Sequence, residues 1–530
     1  PANPRFGADF AIPCFSYAAQ KKHSPAEIAK ELAAGLRHSA IEKTEAVSGF
    51  VNIRLKSPVL TEAALSAPEF TPESYKDKVV VAEYSDPNPF KVLHAGHLYT
   101  TIVGDSIAAL VEAAGARVHR INYGGDVGLH VGRAMWSIIR HLGGEYPEKL
   151  REVSTHERAS WVSRRYVEGT TAYETNDKAK AEIVEINKRV YKLHEDNDHE
   201  SSFAEVYWTC RQWSYDGFDA MYDRLQITPF EAYWPESKVT PKGIEIVQQG
   251  LKDAIFEESN GATIFKAEEY GLHTRVFLNS DGIPTYEAKD LGLAALKWQT
   301  FHFDKSIIIT ANDIVDYMKV VLKALEHFYP EVAERSTHLT HGLIKLPGGK
   351  KMSSRKGNTL LAADILEAAA EAATNSTIDE SHGTVLAAVK YAFLKQRIGG
   401  DIVYEPEESV SLEGNSGPYI QYAHARACGI LRKAQKSIEV SITTLDETER
   451  ELARKIGQYP TVLTETVDTL RPHHICTYLY ELAQAFNRFY EKSRIVGSER
   501  EAERLMLVRA YAGVLKNGLA VLRITAPERM

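Results

Sequence analysis

Two spacings of hydrophobic residues alternate along this chain, and they predict the order of its secondary structure. The short apolar run 79–82 is typical of a strand that is buried on both faces. Pro87 and Pro89 exclude regular structure from the loop that follows. From His94 onward, apolar residues recur three and four positions apart, which predicts a helix. Residues 118–123 predict a second strand, so this stretch is a β-loop-α-β unit of the kind that binds nucleotides.

The same reading extends to both sides of this unit. Ser24 and Glu27 have the spacing of a capping box and predict a helix start, and a loosely alternating run at 45–55 predicts one strand. Further strands are predicted at 262–265, 274–278 and 306–310. Helices are predicted at 179–199, 202–225, 362–373, 385–397 and throughout 417–522.

These elements predict a multidomain α/β protein. Residues 1–75 are expected to form a small N-terminal α/β domain, and 76–365 a Rossmann-like domain with a parallel sheet and a helical insertion at about 145–235. Residues 366–410 form a connector, and 411–530 form a C-terminal α-helical bundle. A chain of 530 residues is long enough for several such domains.

Composition and charge narrow the class of protein. The net charge of −8 argues against a strongly basic nucleic-acid-binding protein, yet residues 411–530 carry 17 basic and 14 acidic residues, against 46 and 57 in the rest. A slightly basic end is compatible with RNA binding. Four scattered cysteines predict reduced thiols in a cytoplasm and no structural metal, and no run is apolar enough for a membrane span. Because the chain starts at Pro1, some N-terminal sequence is expected to be missing.

The first candidate phosphate-binding site is His94-Ala95-Gly96-His97, which lies directly at the predicted helix start. A helix N-terminus offers free N–H groups, and two imidazoles on one face add donors for a phosphate. Two capping or surface histidines are the simpler interpretation, and a zinc pair is a third, although no cysteine lies nearby. Far downstream, Lys350–Asn358 forms a basic segment after a glycine-rich approach. Such a segment either closes over a polyphosphate or is an ordinary solvated surface.

Together the two segments resemble the signature pair of class I aminoacyl-tRNA synthetases, with His94-Ala-Gly-His97 as HIGH and Lys351-Met-Ser-Ser-Arg355 as KMSKS. Other stretches are similar to the arginyl-tRNA synthetase family in particular. They are Glu83-Tyr-Ser-Asp-Pro-Asn-Pro-Phe-Lys-Val-Leu-His94, Asn122-Tyr-Gly-Gly-Asp-Val-Gly128, Tyr286-Glu-Ala-Lys-Asp290 and Gly417-Pro-Tyr-Ile-Gln-Tyr422.

The resemblance implies an arginine–tRNA ligase that activates L-arginine with ATP and Mg²⁺. It assigns catalysis and ATP binding to residues of the two signatures and the lysine before the first: His94, Gly96, His97, Lys351, Met352, Ser353 and Lys91. It assigns arginine binding to Glu83, Ser85, Asn88, Tyr286, Asp290 and Asp313. Carboxylates suit this substrate because they hold a planar guanidinium in bidentate geometry.

Two positions depart from the family pattern. Ser354 stands where KMSKS has its second lysine, so Lys91, or alternatively Lys356, is expected to replace that lysine. The family usually has a glutamine after the strand at 306–310, where this chain has Asn312 and Asp313. One of these two residues is expected to make the corresponding contact.

The resemblance also implies tRNA(Arg) as a partner, a tRNA requirement for activation, and a monomer. The N-terminal domain would contact the tRNA elbow and the helical bundle the anticodon, with Tyr422, Arg426, Asn487 and Arg488 as RNA-binding candidates. Three alternatives stay open from the residues: a class I synthetase for another amino acid, a nucleotidyltransferase of small metabolites, and a non-catalytic tRNA-binding relative.

Overall fold

The computed structural model describes residues 7–345, 360–375, 382–434 and 440–530. The chain divides into two compact units. The terminal unit comprises Pro1–Pro72, Leu412–Thr469 and His474–Met530, and the central unit comprises Glu73–Ser411 with Leu470–His473. No helix within the described ranges combines the length and apolarity that crossing a membrane would need. The domain boundaries inferred from the sequence stay predictions.

The N-terminal part of the terminal unit is a three-stranded antiparallel sheet with helices, in the sheet order β1-β3-β2. Its elements are β1 (Phe10–Pro13), α1 (Phe15–Lys21), α2 (Pro25–Gly35), β2 (Ile41–Val47), β3 (Phe50–Leu55) and α3 (Ser57–Ser66). The predicted capping box begins α2: Ser24 Oγ accepts the Glu27 N–H at 3.3 Å, and the Glu27 carboxylate accepts the Ser24 N–H at 2.9 Å. This cap explains why α2 begins at Pro25.

The prediction of one strand at 45–55 is wrong. The segment is a hairpin of β2 and β3, which pair antiparallel from Val47↔Phe50 onward. Ser48 and Gly49 form the two-residue turn, with φ of 49° and 83°. A turn with two left-handed residues matches the twist of paired strands, and this reverses the chain inside what reads as one alternating run.

The central unit is built around a five-stranded parallel sheet with the order β11-β10-β4-β5-β6. Its strands and helices up to β6 are β4 (Val79–Glu83), α4 (Ala95–Ala113), β5 (Arg117–Gly124), α5 (Leu129–Leu142), α6 (Arg158–Thr175), α7 (Asp177–Glu195), α8 (Ser202–Leu225) and β6 (Ala232–Pro235). β4 lies in the middle of the sheet. The strand that follows it in the chain, β5, pairs with one of its edges, and the later strand β10 pairs with the other. Such a switch point leaves a crevice at the carboxyl ends of the strands, where ligands bind in open α/β sheets.

The rest of the central unit completes this sheet and adds a smaller one. The remaining elements are α9 (Glu236–Lys252), β7 (Glu257–Ser259), β8 (Ala262–Phe265), β9 (Arg275–Leu278), α10 (Tyr286–Phe301), β10 (Lys305–Ala311), α11 (Val315–Glu326), α12 (Pro330–Arg335), β11 (Ser336–His341), β12 (Ile344–Lys345), α13 (Ala362–Thr374), α14 (His382–Leu394), β13 (Ile402–Val403) and α15 (Pro406–Ser409). The strands predicted at 262–265 and 274–278 exist, but they form an antiparallel sheet with β7 and do not belong to the parallel sheet.

The C-terminal part of the terminal unit is helical, with α16 (Gly417–Lys433), α17 (Glu447–Ile456), α18 (Tyr459–Thr469), α19 (His473–Lys492) and α20 (Glu501–Val521). Residues 440–446 are not helical, so one continuous helical region from 417 to 522 is too simple. Within this unit, α17 packs on α3, and the buried Arg450 guanidinium holds the Asp9 carboxylate, with Nε 3.0 Å from Oδ1. The predicted multidomain class with a parallel-sheet domain and a helical C-terminal part is confirmed.

Candidate active site

The site is organised by the loop that connects the end of β4 to the start of α4. Ser85, Asp86 and Phe90 in this loop have positive φ values of 76°, 49° and 68°. Non-glycine residues rarely adopt this left-handed conformation, so the surrounding packing must hold the loop in place. Gly124 permits that packing, because a Cβ there would lie 2.4 Å from the Pro87 carbonyl oxygen. The loop therefore presses directly on the end of β5.

The two predicted histidines cap the start of α4 reciprocally. His94 Nδ1 accepts the His97 N–H at 3.4 Å, and His97 Nδ1 accepts the His94 N–H at 3.3 Å. The rings stack with centroids 3.7 Å apart. Gly96 leaves room for this arrangement, since a Cβ there would lie 2.8 Å from His94 Cε1. Because both Nδ1 atoms are acceptors, each neutral ring carries its proton on Nε2 and has that N–H left as a donor.

Electrostatics keep both rings neutral. Burial and the nearby Lys91 charge lower the pKa of His94 to about 4. Burial, together with His94 and Lys91, lowers the pKa of His97 well below its usual value. The Lys91 ammonium lies over the Tyr166 ring of α6, 4.5 Å from its centroid. This corner thus offers two uncharged donors, one cation and a helix start, a combination suited to a phosphate.

Of the other predicted phosphate-binding residues, Lys351, Met352 and Ser353 lie outside the described residues, as does the alternative Lys356. The chain that follows them is described from Leu360. The Leu360 carbonyl accepts the Ala95 N–H at 2.8 Å, and the Ala362 N–H donates to the Leu93 carbonyl at 3.0 Å. Leu360 and Ala362 therefore lie directly beside the start of α4, where the histidine pair is.

The predicted arginine-binding carboxylates meet at the end of β4, but they differ in their partners. Glu83 Oε2 lies 2.5 Å from the Lys297 ammonium in a buried ion pair. Asp290, at the start of α10, accepts a hydrogen bond from the Tyr317 hydroxyl at 2.5 Å. Burial raises the pKa of Asp290 to about 7, with the charges of Glu83 and Glu236 acting in the same direction. Among the residues that the structure describes, none forms an ion pair with Asp290.

Asp86 is a third carboxylate of this cluster, and sequence reasoning missed it. Its Oδ1 accepts the Tyr123 N–H at 2.8 Å. Burial raises its pKa well above the usual value, and the charges of Glu83 and Asp290 add to that rise. An acidic residue just beyond the carboxyl end of a central parallel strand is the signal that would have found it.

Ser85 and Asn88 are already hydrogen-bonded within the protein. Ser85 Oγ lies 2.6 Å from the Tyr222 hydroxyl and is almost fully buried, and Asn88 Oδ1 accepts the Gly125 N–H at 2.7 Å. Tyr286 is exposed, with 53% of its surface accessible. Asp313 follows β10, and its charge acts on the pKa of His94 from nearby.

A second buried ion pair lies close to Tyr286 and was also missed. The Lys289 ammonium donates to Glu236 Oε2 at 2.6 Å, and both side chains are about 4% exposed. The same ammonium lies 5.3 Å from the Tyr286 ring centroid. Lysines on α10 therefore neutralise two of the acidic groups around the site. Asp86 and Asp290 have raised pKa values and form no such ion pair with any residue in the described part of the chain.

The predicted RNA-binding residues lie in the terminal unit. Arg426 donates to the Tyr422 hydroxyl at 3.1 Å and to Asn487 Oδ1 at 3.3 Å, whereas Arg488 pairs with Glu451 at 2.6 Å. Arg426 and Tyr422 line a cavity of about 880 Å³. Its lining includes five basic side chains and two tyrosines: Arg426, Arg432, Lys433, Arg494, Arg529, Tyr422 and Tyr490. Positive charge next to exposed aromatic rings is suited to single-stranded RNA.

Comparisons with known proteins agree with this geometry. A family model described as "tRNA synthetases class I (R), catalytic domain" matches residues 60–405. Models described as "DALR anticodon binding domain" and "Arginyl tRNA synthetase N terminal domain" match residues 420–530 and 1–55. A Clostridium perfringens protein named arginine–tRNA ligase is 32% identical over 554 residues, covering 100% of this chain and 95% of that protein.

Two solved structures share the fold. The chain superimposes on Thermus thermophilus arginyl-tRNA synthetase with a TM-score of 0.77 at 24% identity, covering 98% of this chain and 94% of the other. For Plasmodium falciparum arginyl-tRNA synthetase the TM-score is 0.80 at 21% identity, with 100% and 94% covered.

The parallel sheet, the histidine pair at the start of α4 and the matched catalytic model together define a class I aminoacyl-tRNA synthetase. Within this class, the chain belongs to the arginyl-tRNA synthetase family. The predicted family and the predicted type of enzyme, a ligase, are thus confirmed. The roles of individual site residues stay predictions.

Proposed function

We propose that this chain is an arginine–tRNA ligase, which activates L-arginine with ATP and transfers it to the 3′ end of tRNA(Arg), releasing AMP and pyrophosphate. The observation that carries the proposal is one crevice with two kinds of chemistry. Neutral histidine donors at the start of α4 suit a phosphate, and acidic groups at the end of β4 suit a guanidinium. Membership of the family supports the same reaction.

In the activation step, the arginine carboxylate attacks the α-phosphorus of ATP and pyrophosphate leaves. We assign His94 and His97 to stabilise charge on the phosphate oxygens, since their Nε2–H groups donate without being protonated further. Lys91 adds a positive charge beside them. Mg²⁺ bound together with ATP would neutralise part of the triphosphate charge. Gly96 allows close approach, and from the sequence alone Lys351, Met352 and Ser353 are assigned to the same phosphates.

Arginine recognition is assigned to the acidic side of the crevice. Burial, together with the neighbouring carboxylates, raises the pKa values of Asp290 and Asp86, and a guanidinium would compensate their negative charge. Glu83 and Tyr286 are assigned to the same guanidinium. Ser85 and Asn88 are assigned to the α-amino and carboxylate end of the substrate by their positions in the family pattern. Asp313, or alternatively Asn312, is assigned to the contact that the family's glutamine makes with the substrate.

The transfer step requires the tRNA 3′ ribose to attack the adenylate, so the enzyme must hold a tRNA. We assign the cavity beside Arg426 and Tyr422, with Asn487 and Arg488, to unpaired RNA bases. We also propose that activation requires bound tRNA, that the protein acts as a monomer, and that it works in the cytoplasm. Within the described ranges no three candidate metal ligands are grouped together, and the expected absence of a structural metal stays a prediction.

The experiment that tests this function is ATP–pyrophosphate exchange with each amino acid, with and without total tRNA. Exchange with arginine alone, and only when tRNA is present, is the expected result. Exchange with another amino acid would show that the acidic pocket has been assigned to the wrong substrate. Absence of exchange, together with tRNA binding, would indicate a binding-only relative.

A further inference from the structure

Lys297 is among the most deeply buried charged side chains described in the central unit. Its side chain is 2% exposed, and its ammonium lies 2.5 Å from Glu83 Oε2 and 3.2 Å from the Ser306 hydroxyl. Glu83 is the last residue of β4, Ser306 lies on the adjacent strand β10, and Lys297 extends from α10 above them. The ammonium therefore joins three elements at the edge of the sheet where the candidate active site lies.

This arrangement is costly for a purely structural contact. Removing two charges from water is unfavourable, and apolar side chains of similar volume are often as stable as a buried ion pair. The surrounding core offers such packing, because Phe303, Leu293 and Ile308 are all buried nearby in the same hydrophobic cluster. A buried charged pair in this setting calls for a role besides stability.

The geometry of α10 suggests that role. Asp290 and Lys297 are seven residues apart on this helix, so they lie on the same face, two turns from each other. Asp290 borders the crevice, while Lys297 reaches Glu83 behind it. Only one Glu83 oxygen, Oε2, is the partner of the ammonium.

We propose that Lys297 is a positioning residue for arginine, which holds Glu83 Oε2 so that the other carboxylate oxygen meets the guanidinium beside Asp290. This inference rests on the proposed function. Lys297 also supplies one positive charge to a cluster in which Glu83, Asp86 and Asp290 repel one another. A carboxylate held by a fixed partner loses little further freedom when substrate binds, which favours a bidentate contact.

The proposal has an electrostatic consequence, because Lys297 lowers the pKa of Asp86. Removing its charge would leave Glu83 unneutralised, which raises the pKa of the neighbouring carboxylates further. The titratable and charged groups that surround Asp290 come from five elements and the loop after β4: Glu83, Asp86, Tyr123, Glu236, Lys289, Lys297 and Tyr317. Without the Lys297 charge, arginine binding should therefore need a higher pH.

The test compares Lys297→Met, Lys297→Arg and the control Val247→Ala, which removes buried apolar volume from α9 in the same hydrophobic cluster. KM for arginine and for ATP is measured by tRNA-dependent exchange from pH 6 to 8.5, alongside melting temperature. Lys297→Met is expected to raise KM for arginine about tenfold or more, with KM for ATP changed less than about twofold. The pH midpoint of the arginine KM should rise by about one unit. Lys297→Arg should keep the arginine KM within about threefold, because it preserves the charge.

Val247→Ala should lower the melting temperature and leave both KM values unchanged. If Lys297→Met lowers only the melting temperature, or raises both KM values equally, the positioning role is refuted. If Lys297→Met does not fold, Ser306→Ala replaces it: it weakens the hold on the ammonium and should raise only the arginine KM, whereas an unchanged arginine KM refutes the proposal. Wild-type exchange without arginine specificity would refute the proposed function itself, so the two failures are distinguishable.

Discussion

The ionisation of Asp290 determines how tightly the enzyme should bind arginine at different pH values. A guanidinium stays protonated throughout the physiological range and binds an ionised carboxylate far better than a neutral one. With a pKa of about 7, Asp290 in the substrate-free site is about 9% ionised at pH 6, half ionised at pH 7 and about 91% ionised at pH 8. Arginine affinity should therefore rise about tenfold between pH 6 and pH 8.

The sign of this dependence follows from the direction of the shift. Burial raises the carboxyl pKa in the free enzyme, whereas a bound guanidinium lowers it again. Binding arginine thus releases a proton below about pH 7, and acidification opposes binding. The histidines do not confuse the measurement, because the pKa of His94 is about 4 and that of His97 is lowered well below its usual value.

The assay is KM for arginine in tRNA-dependent exchange at saturating ATP, at half-unit steps from pH 6 to 8. KM for ATP, measured over the same range, serves as the internal control and should change less than about twofold. Asp290→Asn should bind arginine at least about tenfold more weakly and lose the step near pH 7. A wild-type KM that is constant from pH 6 to 8, or a step that survives in Asp290→Asn, would show that Asp290 does not bind the guanidinium.

The same structure leads to three other expectations. Because the raised pKa of Asp290 costs stability progressively as pH rises from about 4 to about 7, substrate-free Asp290→Asn should melt roughly 2–4 °C above wild type at pH 8 and show a smaller difference at pH 5. His97→Ala should lower kcat of exchange about a hundredfold with the arginine KM within about twofold; an arginine KM that rises equally would place His97 on the amino acid. Arg426→Ala should raise KM for tRNA about tenfold in aminoacylation, while Arg509→Ala, an exposed arginine outside that cavity, should not; equal effects would leave only general charge attraction.

The elements that could be predicted from sequence are those whose ends carry their own signals. Helix α8 was predicted at its observed bounds, 202–225, since Ser201 caps its start through a hydrogen bond to the Ala204 N–H. Strands β6 and β11 were not predicted. β6 is only four residues long, and β11 alternates polar residues with few apolar ones, so pairing with neighbouring strands decides their conformation.

In the candidate site, too, some features could be predicted from the sequence and others could not. The histidine pair could be predicted because its hydrogen bonds join residues three apart, and the acidic residues because they resemble a family pattern. The Lys297 partnership could not, since 214 residues separate it from Glu83 and only the packing of α10 on the sheet joins them. Neither could the raised pKa of Asp86, which depends on burial that the sequence does not specify.

The ion pair between Asp9 and Arg450 has a consequence for how the protein is made. The two residues are 441 positions apart, and both belong to the terminal unit. At synthesis rates of about 5–20 residues per second, Asp9 leaves the ribosome roughly 20–90 seconds before Arg450 exists. The central unit is almost entirely contiguous in the chain, so it can fold during that interval. The N-terminal segment, in contrast, must wait for the last helices, and translation that stops early leaves it without the partners that bury its acidic side chain.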